Sequence, residues 1–433
     1  MKKRSISENK QIIWDILEIG KEMIVSGAEI WRVSDSLYRL LSAYGFSELN
    51  VWVISTNIQA TVRDEDGEIY SQSRSVRDVS YNLNKLDRLN DLSRYACDHT
   101  PESAEFNELL EEIVSIPGPS KLLVYLANAL GVFCLVLFFS GGFTDAIVGA
   151  IVALVFVWLG NIVGRHEGNP LVYNVFVSFV MEVLIILFVL GGVGRDVNSI
   201  TIAIILLVIG SLGLTNGVLD LIERDTLSGI IETINSLLKA SGVAIGISLA
   251  MLLFKKTLSD MMLANSINTI KPTDLMSNTY LLVLFGTIGS LCFALLFGIK
   301  GKKIFFCGLG ALMTRLVYLL VLSLSGESEF IATFAAAAFI AANARVMARI
   351  NKSPSTVFMT TSVLPILPGS HLYFTIYYAI MEQYAKMAEH GNQLLLVLLG
   401  ISFGYIVVEF ITKYMTIFMR KMNVIVDQQV HID

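Results

Sequence analysis

The sequence predicts an all-α polytopic membrane protein, with about ten transmembrane helices in two five-span halves and a small N-terminal α+β cytoplasmic domain. Three observations carry that class. Of 433 residues, 54% are hydrophobic and only 16% are charged, against roughly 25% charge in a soluble domain. Apolar runs of ~20 residues, enough to cross a bilayer, recur from residue 121 onward. Charge is concentrated before that point, so 1–118 reads as a separate domain. Mean hydropathy is +0.64.

Within the N-terminal domain, "QIIWDILEIGKEMIVS" and "GAEIWRVSDSLYRLLSAYG" carry apolar residues at helical spacing, the second ending on Gly45. "LNVWVIST" and "IQATVRD" read as strands, and "RDEDGEIYSQS" as a turn into a third. Two charged helices follow, over 78–97 and 101–115. The rigid "IPGPS" at 116–120 separates them from the first span. Asp15, Glu18, Lys21 and Glu22 interrupt any apolar core after the basic start, so a cleaved signal peptide is not expected.

The spans are expected at 121–140, 143–163, 171–190, 198–214, 230–254, 280–298, 304–323, 329–347, 355–386 and 393–417. The fourth is short, and the ninth is interrupted by "PILPG". This divides the chain into a first half at 119–256, an extracytoplasmic loop at 257–279, a second half at 280–420 and a cytoplasmic tail at 421–433. With the N-terminal domain in the cytoplasm, eleven Lys and Arg lie at inner span ends, among them Arg165, Lys300, Lys303, Arg345 and Arg349. Five lie outside: Arg195, Lys255, Lys256, Lys271 and Lys386. An offset of 184 matches Gly142 to Gly326, Asp145 to Glu329, Arg165 to Arg349 and Pro170 to Pro354. That match pairs spans of the same orientation, whereas two five-span halves suit an inverted repeat. Both symmetries stay open.

The fourth span leads into "GLTNGVLDLIERDTLSGI". At 1.5 Å per residue, ~17 residues from the outer side bring the chain to roughly 25 Å depth near Gly217. Asn216, Asp220 and Arg224 are spaced to share a helix face, with Thr215 and Asp225 adjacent and Gly217 and Gly229 relaxing the backbone. Such a stretch is either an ordinary cytosolic loop or a polar site lining a cavity. Its counterpart holds Pro365, Pro368, Gly369, His371 and Tyr373. The prolines free backbone carbonyls there, which makes either a sealed kink or a second part of a transport site. His371 reads as a packing residue or a proton carrier.

Ionisable residues inside spans are costly and face the bundle. Glu182, Lys239, Arg315 and Glu409 lie deep, with Glu232 and Glu382 nearer the ends. A carboxylate paired with Arg315 and a carboxylate that carries a proton are both open. In the N-terminal domain Gly27 precedes Glu29 and Arg32, one helical turn apart, which is either a solvated face or a contact with the membrane part. Cys97, Cys134, Cys292 and Cys307 form no metal-binding spacing, and three sit in apolar runs. No nucleotide, zinc-protease or serine-hydrolase motif is present, so no enzyme, cofactor or metal is expected. A net charge of −5 offers no basic footprint for nucleic acid.

Three separate stretches together resemble the threonine/serine exporter family. They are "SGAEIWRVSDSL" (Gly27, Ala28, Glu29, Arg32, Val33), "LGLTNGVLDLIERDTLSGI" (Thr215, Asn216, Asp220, Asp225, Ser228, Gly229) and "SPSTVFMTTSVLPILPGSHLY" (Pro354, Pro365, Pro368, Gly369, Tyr373). Arg224 and His371 depart from the family pattern. The resemblance implies a secondary exporter of small hydrophilic amino acids, threonine and serine, driven by the proton motive force, with both termini cytoplasmic. Thr215 and Asn216 would then bind the zwitterion, Asp220 or Glu182 would handle the proton, and a helix starting near Gly369 would receive the carboxylate. Arg315 would belong to the pathway. The resemblance leaves open a dicarboxylate exporter; a channel and a membrane-anchored sensor are open on the residues themselves. The partners expected are substrate, protons and lipid, with homo-oligomerisation undecided.

Overall fold

A computed structural model describes residues 4–77, 80–164, 168–209, 212–223, 225–257 and 278–430. Arg165, Arg224, Lys271 and most of the joining loop lie outside the described residues.

The N-terminal domain forms first from local signals. Ser5 and Glu8 make a reciprocal cap at the start of α1 (Ile6–Val25). In α2 (Ile30–Ala43), Val33, Leu37, Leu40 and Leu41 make one buried stripe. Three strands, β1 (Ser47–Ile54), β2 (Asn57–Arg63) and β3 (Ile69–Ser75), pair antiparallel in chain order. Alternate residues Ile58, Ala60 and Val62 turn inward against the two helices. Gly67 (φ +88°) makes the β2–β3 turn, where the Asp64 carboxylate accepts from the backbone N–H groups of Asp66 and Glu68. Those bonds and the Tyr70 hydroxyl hold the Asp64 carboxyl below its usual pKa. Two further helices, α3 (Leu83–His99) and α4 (Ser103–Val114), cover the other side of α1. The first starts later than the sequence predicts because the Asn82 side chain caps it.

Beyond Ser120 the described residues are mostly helical. The helices α5 (Lys121–Phe138), α6 (Phe143–Ile162), α7 (Pro170–Leu190), α10 (Thr226–Leu253), α11 (Thr279–Leu296), α12 (Lys302–Leu324), α13 (Glu329–Asn351) and the first part of α16 (Tyr384–Val430) are long and apolar enough to cross a membrane. Exposed Leu122, Leu126 and Leu130 on α5 and Leu249, Leu252 and Leu253 on α10 leave large apolar faces for lipid. The closest pairings are α5 with α11, α7 with α10 and α13 with α16. Glycines permit them: a Cβ on Gly246 would stand 2.4 Å from the Val175 carbonyl, and one on Gly404 would stand 2.6 Å from that of Phe334.

The fourth span is described as α8 (Val197–Ile209) and α9 (Leu212–Ile222), which together carry the chain further than the single short span read from sequence. The ninth is broken into α14 (Thr356–Ser362), a 3₁₀ turn at Leu364–Ile366 and α15 (Gly369–Ile380). It packs beside the fourth, with α8 against α15 and α9 against α14. Gly217 and Gly229 do not loosen the backbone in a left-handed conformation. They let α9 and α10 cross closely, since a Cβ on Gly229 would fall 2.8 Å from the Gly217 carbonyl.

The N-terminal domain is docked on one end of the bundle. A single apolar cluster runs from Ile13, Leu37 and Leu86 through Leu219 to Ile340 and Phe358.

Candidate functional site

The docking surface is built from a short turn. Gly27 takes φ +99°, a conformation open to glycine, and closes α1 by donating to the Ile24 carbonyl at 2.9 Å. Residues 27–32 then meet α9 and the start of α14. Asn216 Nδ2 donates to the Gly27 carbonyl at 3.1 Å, and the Trp31 backbone N–H donates to Asp220 Oδ1 at 3.1 Å. Trp31 is the second residue of α2, where helix geometry leaves an N–H unpaired. Asp220 thus caps a helix 189 residues away in the chain. On the other side Thr356 Oγ1 donates to Glu29 Oε1 at 2.8 Å, and Arg32 Nη2 donates to Ser355 Oγ at 2.9 Å.

Glu29 and Arg32 are therefore a pair, 2.8 Å apart, with the Glu29 side chain fully covered and that of Arg32 partly so. Burial pushes the Glu29 carboxyl up, but the Arg32 charge and the hydrogen bonds around it pull harder and hold it below the usual carboxylate value. Of the sequence's two readings of this pair, the structure has the contact with the membrane part.

Asn216 and Asp220 each keep one atom unused. Asn216 Oδ1 and Asp220 Oδ2 are buried without a hydrogen-bond partner, on side chains 6% and 0% exposed. Both residues line a cavity of about 420 Å³ between the N-terminal domain and α7, α9 and α10. Its other polar lining includes Arg77, Tyr81, Glu232, Asn235 and Lys239. A second cavity of about 630 Å³ adjoins it at Tyr81, Pro170 and Lys239. A smaller one, about 90 Å³, lies by Glu29 and Arg32 and is lined by Glu223, Arg345, Tyr405 and Glu409. Thr215, also buried, faces Tyr405. Asp225 caps α10, its side chain accepting from the Ser228 N–H at 3.4 Å.

The remaining residues singled out in the sequence stand elsewhere. Glu182 on α7 is 1% exposed and accepts from Thr201 Oγ1 of α8 at 2.8 Å, while its Oε1 has no partner. One turn away on α8, Asn198 Oδ1 accepts from the buried Tyr373 hydroxyl of α15 at 2.7 Å. Gly369 opens α15 against the side chain of Leu206, so an apolar contact fills the space beside that helix start. His371 lies at the bundle end away from the N-terminal domain, 2.8 Å from Glu329 and 3.3 Å from His390. Arg315 meets no carboxylate among the described residues. It donates to the Pro365 carbonyl at 3.3 Å and lies over the Phe138 and Tyr318 rings. One carbonyl exposed by the proline break is therefore satisfied by a cation rather than turned toward solvent. Glu409 instead pairs with Arg345.

Among the described residues no group of three or more His, Cys, Asp or Glu is arranged to hold a metal ion. Sequence reasoning passed over Trp31, Arg77, Thr201, Ser355 and Thr356. Ser355 and Thr356 are in the quoted "SPST", beside the matched Pro354; nothing local marks Arg77.

Among the described residues, eight helices long and apolar enough to cross a membrane, with buried polar groups on the helices packed between them, define a multi-pass membrane protein. A model of the ThrE threonine/serine exporter family matches residues 16–254, and a second, ThrE_2, also a threonine/serine exporter model, matches residues 282–411. The chain belongs to the threonine/serine exporter family, with both parts in one polypeptide. No curated protein and no solved structure matches it.

Proposed function

We propose that this protein exports threonine and serine across the cytoplasmic membrane by proton antiport, with its N-terminal domain on the cytoplasmic side. The observation that carries this is a pair of buried, unpartnered acceptors, Asn216 Oδ1 and Asp220 Oδ2, on residues that line the 420 Å³ cavity. Two buried acceptors, one of them a carboxylate oxygen, call for a cationic donor, and an α-ammonium group supplies three N–H bonds. The cavity also carries Arg77 and Lys239, so both signs of charge line it. That mixture suits a zwitterion better than a succinate-type dianion, which would find two carboxylates, Asp220 and Glu232, in its way.

Glu182 is the proton carrier in this scheme. It is buried in the bundle with one oxygen unpartnered, and it touches α8, which packs against the broken ninth span that alternating access would move. The packing also supports two five-helix halves in inverted relation. α7 against α10 has its counterpart in α13 against α16, and α5 against α11 falls at the axis. In that scheme α7 corresponds to α13, not α6 as in the offset of 184.

Counterflow of labelled threonine, serine and succinate in proteoliposomes, with and without an imposed pH gradient, tests the function. Threonine and serine should exchange and respond to the gradient. Exchange of succinate alone, or flux indifferent to the gradient, would sink the reading.

A further inference from the structure

The N-terminal domain supplies part of the wall of the 420 Å³ cavity: Ile24, Gly27, Ala28, Ile30 and Arg77 line it together with Asn216 and Asp220. We propose that the domain completes the substrate site, and that Arg77, with Lys239, receives the carboxylate of the amino acid whose ammonium sits between Asn216 Oδ1 and Asp220 Oδ2. This rests on the exporter reading and adds to it a function for the domain.

Three observations converge. First, the free acceptors are defined by the docked domain. Trp31 N–H already occupies Asp220 Oδ1, and the Gly27 carbonyl already occupies Asn216 Nδ2. Docking therefore leaves Asp220 with one oxygen and Asn216 with its carbonyl, which together accept hydrogen bonds and donate none. The site as built is selective for a donor, and the domain makes it so. Second, Arg77 is exposed, follows β3 and takes part in no ion pair among the described residues, so its fork is available. A guanidinium matches a carboxylate with two parallel hydrogen bonds, which an ammonium cannot do. Third, Lys239 on α10 lines the same cavity, and its ammonium makes no direct ion pair among the described residues, although the Glu232 charge acts on it. A zwitterion would thus meet Asp220 of the membrane part at one end and cations from the domain and from α10 at the other, bridging the two.

Charge-deleted ligands separate the two ends of the molecule. Binding of L-threonine, L-threonine amide, which lacks the carboxylate, and N-acetyl-L-threonine, which lacks the ammonium, is measured on the full-length protein in nanodiscs. The wild type should bind threonine at least about tenfold more tightly than either analogue, the scale of one charge-assisted contact. In Arg77→Gln the preference over the amide should collapse while the preference over the N-acetyl form stays. Arg77→Lys should restore part of the first preference, and an unchanged melting temperature should accompany both. A wild-type preference over the amide that survives undiminished in both Arg77→Gln and Lys239→Gln overturns the proposal. If the wild type neither binds nor exchanges threonine, the exporter reading falls and the proposal with it. If exchange persists while Arg77→Gln keeps full discrimination, the composite wall alone is wrong.

Discussion

At the scale of the residue, Glu29 is where a sequence pattern and its physical meaning diverge most. An acid and a base three residues apart on a helix describe a solvated surface pair as well as a buried one, because the spacing fixes only that they can meet. Burial comes from Thr356 and Ser355, more than 300 residues later. Replacing Glu29 with Gln keeps the shape but takes from the partly buried Arg32 its nearest counter-charge. The expected cost is about 1–3 kcal/mol, read as a lower melting temperature in detergent. A pH series gives an independent check. The Glu29 carboxyl is held below its ordinary 4.5 in the folded protein, so its contribution is complete above that value and is lost as pH falls through the lowered one. Wild-type melting temperature should therefore drop more steeply below about pH 4.5 than that of Glu29→Gln; parallel curves would refute the assignment. Asp220 makes a second case. Asp220→Asn keeps a carbonyl oxygen for the Trp31 N–H but removes the charge offered to the cavity. It should leave stability within about 1 kcal/mol of wild type, read as a nearly unchanged melting temperature, while cutting threonine counterflow at least about tenfold.

At the scale of the element, the break in the ninth span and the polar stretch that ends the fourth are both legible in the sequence, since Pro365 and Pro368 cannot continue a helix and polar residues cluster after Leu214. Their adjacency is not. Hydrophobic periodicity reports which face a helix buries, not which helix it meets. For the same reason the charge of Arg315 is visible but its partner is not: a backbone carbonyl leaves no mark in the sequence. Helix contacts are more readable where glycine recurs. Gly242 and Gly246 lie four apart on α10, and Cβ atoms there would fall 2.9 Å from the Leu171 carbonyl and 2.4 Å from the Val175 carbonyl of α7. Backbone cannot rotate aside as a side chain can, so α7 and α10 would have to separate. Gly246→Val should destabilise by about 3 kcal/mol, the upper end for overpacking. Gly118→Ala, with nothing within 4 Å of its Cβ, should change stability by less than about 0.5 kcal/mol. Equal melting temperatures for the two variants would remove the close-packing argument.

At the scale of the whole molecule, the N-terminal domain and the bundle share one core instead of being joined by a tether. Beyond the 27–32 turn, the Leu83 N–H donates to the Phe297 carbonyl at 2.8 Å, Lys303 pairs with Asp87, and Ser353 donates to Asp87 at 2.6 Å. These contacts fasten the domain to the end of the bundle where Lys300, Lys302, Lys303 and Lys352 gather, the segments on which the positive-inside rule acts. The domain's side of the membrane and the bundle's orientation are consequently a single question. Starting from protein with Cys97 replaced by Ser, where the three remaining cysteines are buried, a single new cysteine can answer it. Glu327 is exposed at the turn between α12 and α13, away from the domain, and Lys121 is exposed at the start of α5, beside it. A membrane-impermeant maleimide applied to intact cells should label Glu327→Cys at once and Lys121→Cys only after the membrane is opened. The opposite pattern would place the domain outside. Asp220 and its cavity would then face the wrong compartment for loading substrate destined for export.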